Sequence, residues 1–214
     1  MKKVGFSASV IFLFIFSGCG GGGGGGSSET APTQPTVTQQ ESTPSSRDML
    51  QIVDASSVAS LKIVCKKEKL LSDENGEFEC KSTPIEFYLG ELHLGTLKKI
   101  PHDGIIYPQD IVGVARGATA HPEVTKISMI LESLDSDAKP SNGISLLPKK
   151  VEEFNSYSQQ YKNLAEINFE ELTYMLEQVS SLVVSAKDAQ VNLTSRVSQA
   201  PARTYEQRIT GRTK

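Results

Sequence analysis

Few side chains in this 214-residue chain have the types and spacing that chemistry needs. Its three histidines, His93, His102 and His121, fall at no metal-ligand spacing. Neither Gly-x-Ser-x-Gly nor His-Glu-x-x-His occurs. Carboxylates are plentiful, but glycoside hydrolysis needs two at a fixed separation across a cleft, and on an acidic surface most are solvated charges. No catalytic constellation, structural metal or cofactor is expected. Binding is the chemistry left, and a concave patch of exposed aromatics among Tyr88, Tyr107, Tyr157 and Tyr161 would serve it.

Cys19 carries a different chemistry. Lys2 and Lys3 precede an apolar run, densest over Val10–Phe16, and then the small residues Ser17 and Gly18. That order marks residues 1–18 as a secretory leader. The run is well short of the ~20 apolar residues that span a bilayer. Phe16-Ser17-Gly18-Cys19 resembles a bacterial lipobox, with Phe where Leu is usual. The resemblance implies cleavage before Cys19 and a diacylglyceryl group on its sulfur; the alternative is ordinary cleavage near Gly18 and a free thiol. Gly20–Gly26 and the Ser/Thr/Pro/Gln-rich stretch behind them bury almost nothing. Residues 19–48 are therefore expected to be a disordered tether, reaching roughly 30 Å by flexible-chain scaling. A phosphate-binding glycine loop does not fit, because no strand precedes the glycines and no helix follows. Gly20, where Asp would mark retention, points to the outer membrane of a Gram-negative cell.

An exported chain oxidises its cysteines, and Cys65 and Cys80 are the remaining pair. They are expected to form a disulfide worth about 3 kcal/mol by loop-closure entropy; the alternative is two buried thiols. Losing the leader moves the formal charge from −3 to −5. Arg196, Arg203, Arg208, Arg212 and Lys214 make the end basic, so the rest is distinctly acidic. An acidic body argues against nucleic-acid binding. Residues 201–214 read as a basic, disordered tail.

Positioning these residues falls to two kinds of element. Leu61–Cys65, Glu77–Cys80, Ile85–Leu89, Leu92–Leu94 and Thr96–Ile100 read as strands, with a turn at Asp73-Glu74-Asn75-Gly76 between the cysteines. Gly104–Pro108 reads as a short edge or turn, because proline cannot donate to a ladder. Beyond residue 120 the apolar spacing becomes helical. Val124, Ile127, Leu131 and Leu134 mark one helix. Asn168 with Glu171 caps a second, and Ser185 with Asp188 starts a third. Strands before helices predict an α+β fold with antiparallel strands. Residues 49–120 would form a small β-sandwich-like domain, and residues 121–200 a helical segment packed on the sheet.

The motif order "LKIVC", "SDENGEFEC", "IEFYLGELHLGTL", "GIIYPQDIVG" and "ISMILESLDSDAKPSNGI" resembles a module of bacterial surface lipoproteins and large exported repeat proteins. Its first half is similar to carboxypeptidase-regulatory, transthyretin-type β-sandwiches. The resemblance covers about Leu61–Ile144 and implies a non-catalytic, surface-associated module. Where that module has Asp-x-Asp-Gly-Asp, this chain has Asp135-Ser136-Asp137-Ala138-Lys139. Calcium prefers several hard oxygens on a glycine-assisted loop. Asp135, Asp137 and Asn142 are therefore expected to hold a cation weakly at most, and mainly to cap the preceding helix. The expected function is a lipid-anchored binding or adhesion module of the cell envelope, with an envelope protein or glycan as partner. A structural or assembly role in the envelope is the alternative, and a wall-processing enzyme a more distant one.

Overall fold

The structure, a computed structural model, describes residues 49–199. The leader, Cys19 and its tether, and the basic tail lie outside the described residues. The chain has both strands and helices, with antiparallel sheets first and helices towards the C-terminus.

Three strands alternate buried and half-exposed residues: β1 (Met49–Ile52), β3 (Lys62–Cys65) and β6 (Ile85–Leu89). This is the period-two pattern of a sheet with one covered face. With β4 (Glu68–Leu71) and β7 (Leu92–Leu97), β3 and β6 form an antiparallel sheet in the order β4-β3-β6-β7. β5 (Glu77–Glu79) pairs antiparallel to β1, and β8 (Ile105–Ile106) pairs parallel to it. β2 (Val58–Ala59) pairs parallel with β9 (Ile144–Ser145), so the later half of the chain also contributes a strand.

The stretch between the cysteines makes two reversals instead of one turn. β3 turns back at Lys66-Lys67 into β4, which is an exposed edge strand. The chain turns again at Asp73–Gly76, where Asp73 Oδ1 accepts the amides of Asn75 (2.9 Å) and Glu77 (2.7 Å). Gly76 has φ +74, and a Cβ there would lie 2.6 Å from the Ile52 carbonyl oxygen. Only glycine meets both demands. β4 escapes a pattern search because Glu68-Lys69-Leu70-Leu71 has no alternation, and backbone pairing with β3 alone makes it a strand.

The expected disulfide is present. Cys65 and Cys80 are joined, with Cα atoms 6.0 Å apart. The bond ties the end of β3 to the residue after β5, linking the two larger sheets. Beside it, Phe78 of β5 meets Phe87 of β6 edge to face at 6.2 Å, a favoured aromatic geometry.

Pro108 opens α1 (Pro108–Val112) instead of ending a strand. At the first helical position its missing N–H has no intrahelical partner to lose, and Asp110 caps the start by accepting the Tyr107 amide at 2.9 Å. Pro148 opens α3 (Pro148–Ser158) in the same way. That helix gives little periodic signal, because only Phe154 and Ser158 are buried. α2 (Pro122–Ser133), α4 (Phe169–Val179) and α5 (Ala186–Gln199) lie where the sequence predicts them. Asn168 and Glu171 form the capping box, and Ser185 Oγ accepts the Asp188 amide at 3.1 Å. Residues from the four- and three-stranded sheets and from α2, α3, α4 and α5 share one apolar core. A smaller cluster joins Val53, Ile105 and Tyr107 to Val124 of α2 and Leu193 of α5. Among the described residues no helix is long and apolar enough to cross a membrane.

Candidate functional site

The acid-rich loop follows α2 directly. Asp135 is fully buried. Its Oδ1 accepts the amides of Ser136 (2.8 Å) and Ser145 (2.9 Å), and its Oδ2 accepts the Lys139 amide (2.8 Å). Asp137 accepts the Lys139 amide at 3.0 Å and the Asn142 side-chain amide at 3.0 Å. The Asn142 hydrogen bond holds the Asp137 carboxyl below its ordinary range. The loop thus brings Asp135, Asp137 and Asn142 together, but the two carboxylates already accept N–H donors, one of them from Asn142 itself. Among the described residues no three His, Cys, Asp or Glu side chains are gathered to hold a metal ion.

Ala138, where the resembled module has glycine, sits at φ +57. This left-handed conformation strains an L-residue by roughly 1–2 kcal/mol. Ala138→Gly is expected to stabilise the fold by about 0.5–1 kcal/mol, because glycine's larger unfolded-state entropy offsets part of the relief. The melting temperature of the wild type should be the same in EDTA as in millimolar calcium. A calcium-dependent rise in the wild type would return the loop to the role of a cation site.

α2 carries the densest polar chemistry. Every residue from Val124 to Ser133 is buried, so each polar one needs a partner. Lys126 Nζ donates to the Leu164 carbonyl at 3.3 Å. Gln190 donates to Thr125 Oγ1 at 3.0 Å. Ser133 Oγ accepts the Val184 amide at 2.9 Å. One turn apart, Ser128 Oγ donates to Asp54 Oδ1 at 2.6 Å, and Glu132 Oε2 accepts the Asn192 side-chain amide at 2.6 Å. The remaining oxygens, Asp54 Oδ2 and Glu132 Oε1, are buried without another donor. A proton on one of the two carboxyls would let it donate to the other. Burial pushes Glu132 up to about 9, aided by the Asp54 charge. Burial likewise pushes Asp54 up to about 6. Sealed at this depth, the carboxyl pair ties the loop after β1 to α2, and through Asn192 to α5.

The concave surface lies elsewhere. Leu71, Lys62, Tyr88 and His93 form one cross-strand row on the outward face of the four-stranded sheet. With Val151 and Asn155 of α3, part of this row lines a groove of about 330 Å³. Lys62 Nζ donates to the Gly90 carbonyl (2.9 Å), pairs with Glu91 (2.8 Å) and lies 5.2 Å from the centre of the Tyr88 ring. The His93 ring lies 5.1 Å from the same ring. The Tyr88 hydroxyl donates to Glu86 at 3.2 Å, and burial, with that bond, pushes its pKa up. Tyr88 is thus held in place, while Leu71 is 64 % exposed. The other tyrosines do not join the groove. Tyr107 belongs to the small core cluster beneath the Arg116 guanidinium, Tyr157 is exposed on α3, and Tyr161 packs against the main core. Arg116 is fully engaged, with Asp103 at 2.6 Å, Asp110 at 3.2 Å and the Ile105 carbonyl at 2.7 Å.

Asp54, Glu132 and Asn192 are invisible to spacing rules. Ser128 and Glu132 are one helical turn apart, but their partners come from residues 74 and 60 positions away. The only early signal is polar side chains inside a helix whose apolar residues already run through every turn. Comparison of this chain with protein families, with curated proteins and with solved structures finds no match.

Proposed function

We propose that this chain is a lipid-anchored protein of the bacterial cell envelope, whose folded body is a non-catalytic binding module for an envelope protein or glycan. The observation that carries the anchor is Phe16-Ser17-Gly18-Cys19, placed at the end of the Val10–Phe16 run and ahead of seven glycines. The Cys65–Cys80 bond supports export, because such bonds persist in oxidising compartments. Gly20 after the cysteine favours the outer membrane of a Gram-negative cell. Two sheets joined by Phe78–Phe87 and by the disulfide support the likeness to a transthyretin-type β-sandwich. For the body, the groove at Tyr88, with exposed Leu71 on its rim, favours binding over a purely structural role.

The anchor is tested by detergent partitioning. Two or more acyl chains give stable membrane attachment, whereas one is marginal. The wild type is expected in the detergent phase and Cys19→Ser in the aqueous phase. Wild-type protein that stays aqueous, or keeps its leader, would refute the anchor.

A further inference from the structure

Asn192, Ser195, Arg196 and Gln199 lie at helical spacing and share one face of α5. That face borders a cavity of about 440 Å³, closed opposite by Ala55 and Ser56 after β1 and by Pro140 and Ser141. Ligand cavities fall in a range of roughly 300–1,000 Å³. Among the described residues of its lining, all but Ala55 and Pro140 have side chains able to form hydrogen bonds, a larger share than in the groove at Tyr88.

Among the described residues, Arg196 is the sole cationic one of this lining. Unlike Arg116, it has no carboxylate partner among the described residues. Its Nε is buried without an acceptor and lies beyond the reach of a ligand in the cavity, so the terminal Nη1 and Nη2 are the donors that would meet one. Glu132, which accepts from Asn192 on the same face of α5, is pushed up to about 9 by burial, so at neutral pH it offers little negative charge to a guanidinium. The negative pole at the end of α5 opposes an anion, but a charge-assisted guanidinium–carboxylate fork is the stronger effect.

We infer that this cavity binds a carboxylate-bearing polyhydroxyl ligand, an acidic sugar unit, with the Arg196 guanidinium on its carboxylate and Ser56, Ser141, Asn192, Ser195 and Gln199 on its hydroxyls. A single cation suits a monoanion. Serine hydroxyls and side-chain amides both donate and accept, as sugar hydroxyls require. The inference names a ligand class for the proposed binding module but stands on the cavity alone, whether or not Cys19 is acylated.

The test is titration of the full chain carrying Cys19→Ser with glucuronate, glucose and inorganic phosphate, followed by calorimetry or by shifts of the α5 amides in NMR spectra. Glucuronate is expected to bind at least about tenfold tighter than glucose, a factor that one charge-assisted pair supplies. Arg196→Met keeps the aliphatic stem and should lose that advantage with an unchanged melting temperature. Arg196→Lys should fall between, since lysine cannot fork a carboxylate. Equal binding of glucuronate and glucose, no glucuronate binding at tens of millimolar, or full binding by Arg196→Met would overturn the site. Phosphate binding as tightly as glucuronate would overturn its assignment to an acidic sugar.

Discussion

Asp135→Ala is expected to lower the free energy of unfolding by about 4 kcal/mol, since each buried donor left without an acceptor costs about 1–3 kcal/mol. The carboxylate is fully buried and accepts three backbone amides, those of Ser136, Lys139 and Ser145. Alanine removes all three acceptors, and only donors near the loop's outer rim regain water. The damage also spreads beyond the loop. Ser145 belongs to β9, which docks on β2 through Ile144 N–H to the Ser57 carbonyl at 2.8 Å. Asp135→Asn should be milder, because one oxygen remains, but its new amide group cannot accept from Lys139. Urea unfolding of the wild type and both variants measures this directly. A loss below about 1 kcal/mol for Asp135→Ala, the net worth of one ordinary hydrogen bond, would mean that the loop does not depend on this side chain.

Stability is also expected to fall as pH rises from about 5 to 9, with Glu132 alone contributing up to about 1.4 kcal/mol per unit, the slope for one proton released on unfolding. Glu132 is pushed up to about 9 by burial, by the Asp54 charge and, less strongly, by Asp188. In the unfolded chain it titrates near about 4.3. Between those values the folded state holds a proton that the unfolded state has released. The stabilisation is therefore complete below the unfolded value and is lost as pH climbs towards the folded one. Asp54, raised to about 6, adds the same sign at the acid end of this range. Asp103, held low by Arg116 against its own burial, and Glu91, held low by Lys62, act oppositely, and only at more acid pH. Glu132→Gln keeps a donor for Asp54 and an acceptor for Asn192 without a titrating proton. It should flatten the slope and, at pH 8.5, be more stable than the wild type by on the order of 2–4 kcal/mol. Chemical unfolding at half-unit pH intervals decides the matter. Parallel profiles for wild type and Glu132→Gln would show that the pair carries no retained proton.

Features readable in the sequence were those decided by near neighbours. Asn168 and Glu171 cap a helix three residues apart, Asp73 and Gly76 close a turn, and Val124 to Leu134 repeat at helical spacing. The cysteine pair was equally legible, because once Cys19 is set aside for its likeness to a lipobox cysteine, Cys65 and Cys80 have one pairing. α1 was missed because Pro108 read as part of a short edge or turn, and α3 because its two buried residues give little periodic signal. Proline is also well suited to a helix start, and the surrounding fold decides which role it takes.

The sequence by itself determined the α+β class, the strands-then-helices order, the capped helix starts and the cysteine pair, because periodicity, caps and turns act over a few residues. Only the tertiary structure decided that β3 pairs with β4 and β6 while β5 turns to β1. Backbone hydrogen bonds carry no side-chain code, so partners are chosen by packing. It also decided that Asp54, Glu132 and Asn192 meet, and that Arg196 faces a cavity to which no described residue brings a carboxylate. Polar groups distant in sequence acquire their chemistry from burial, and burial is set by how α2 and α5 stack, which no local pattern encodes.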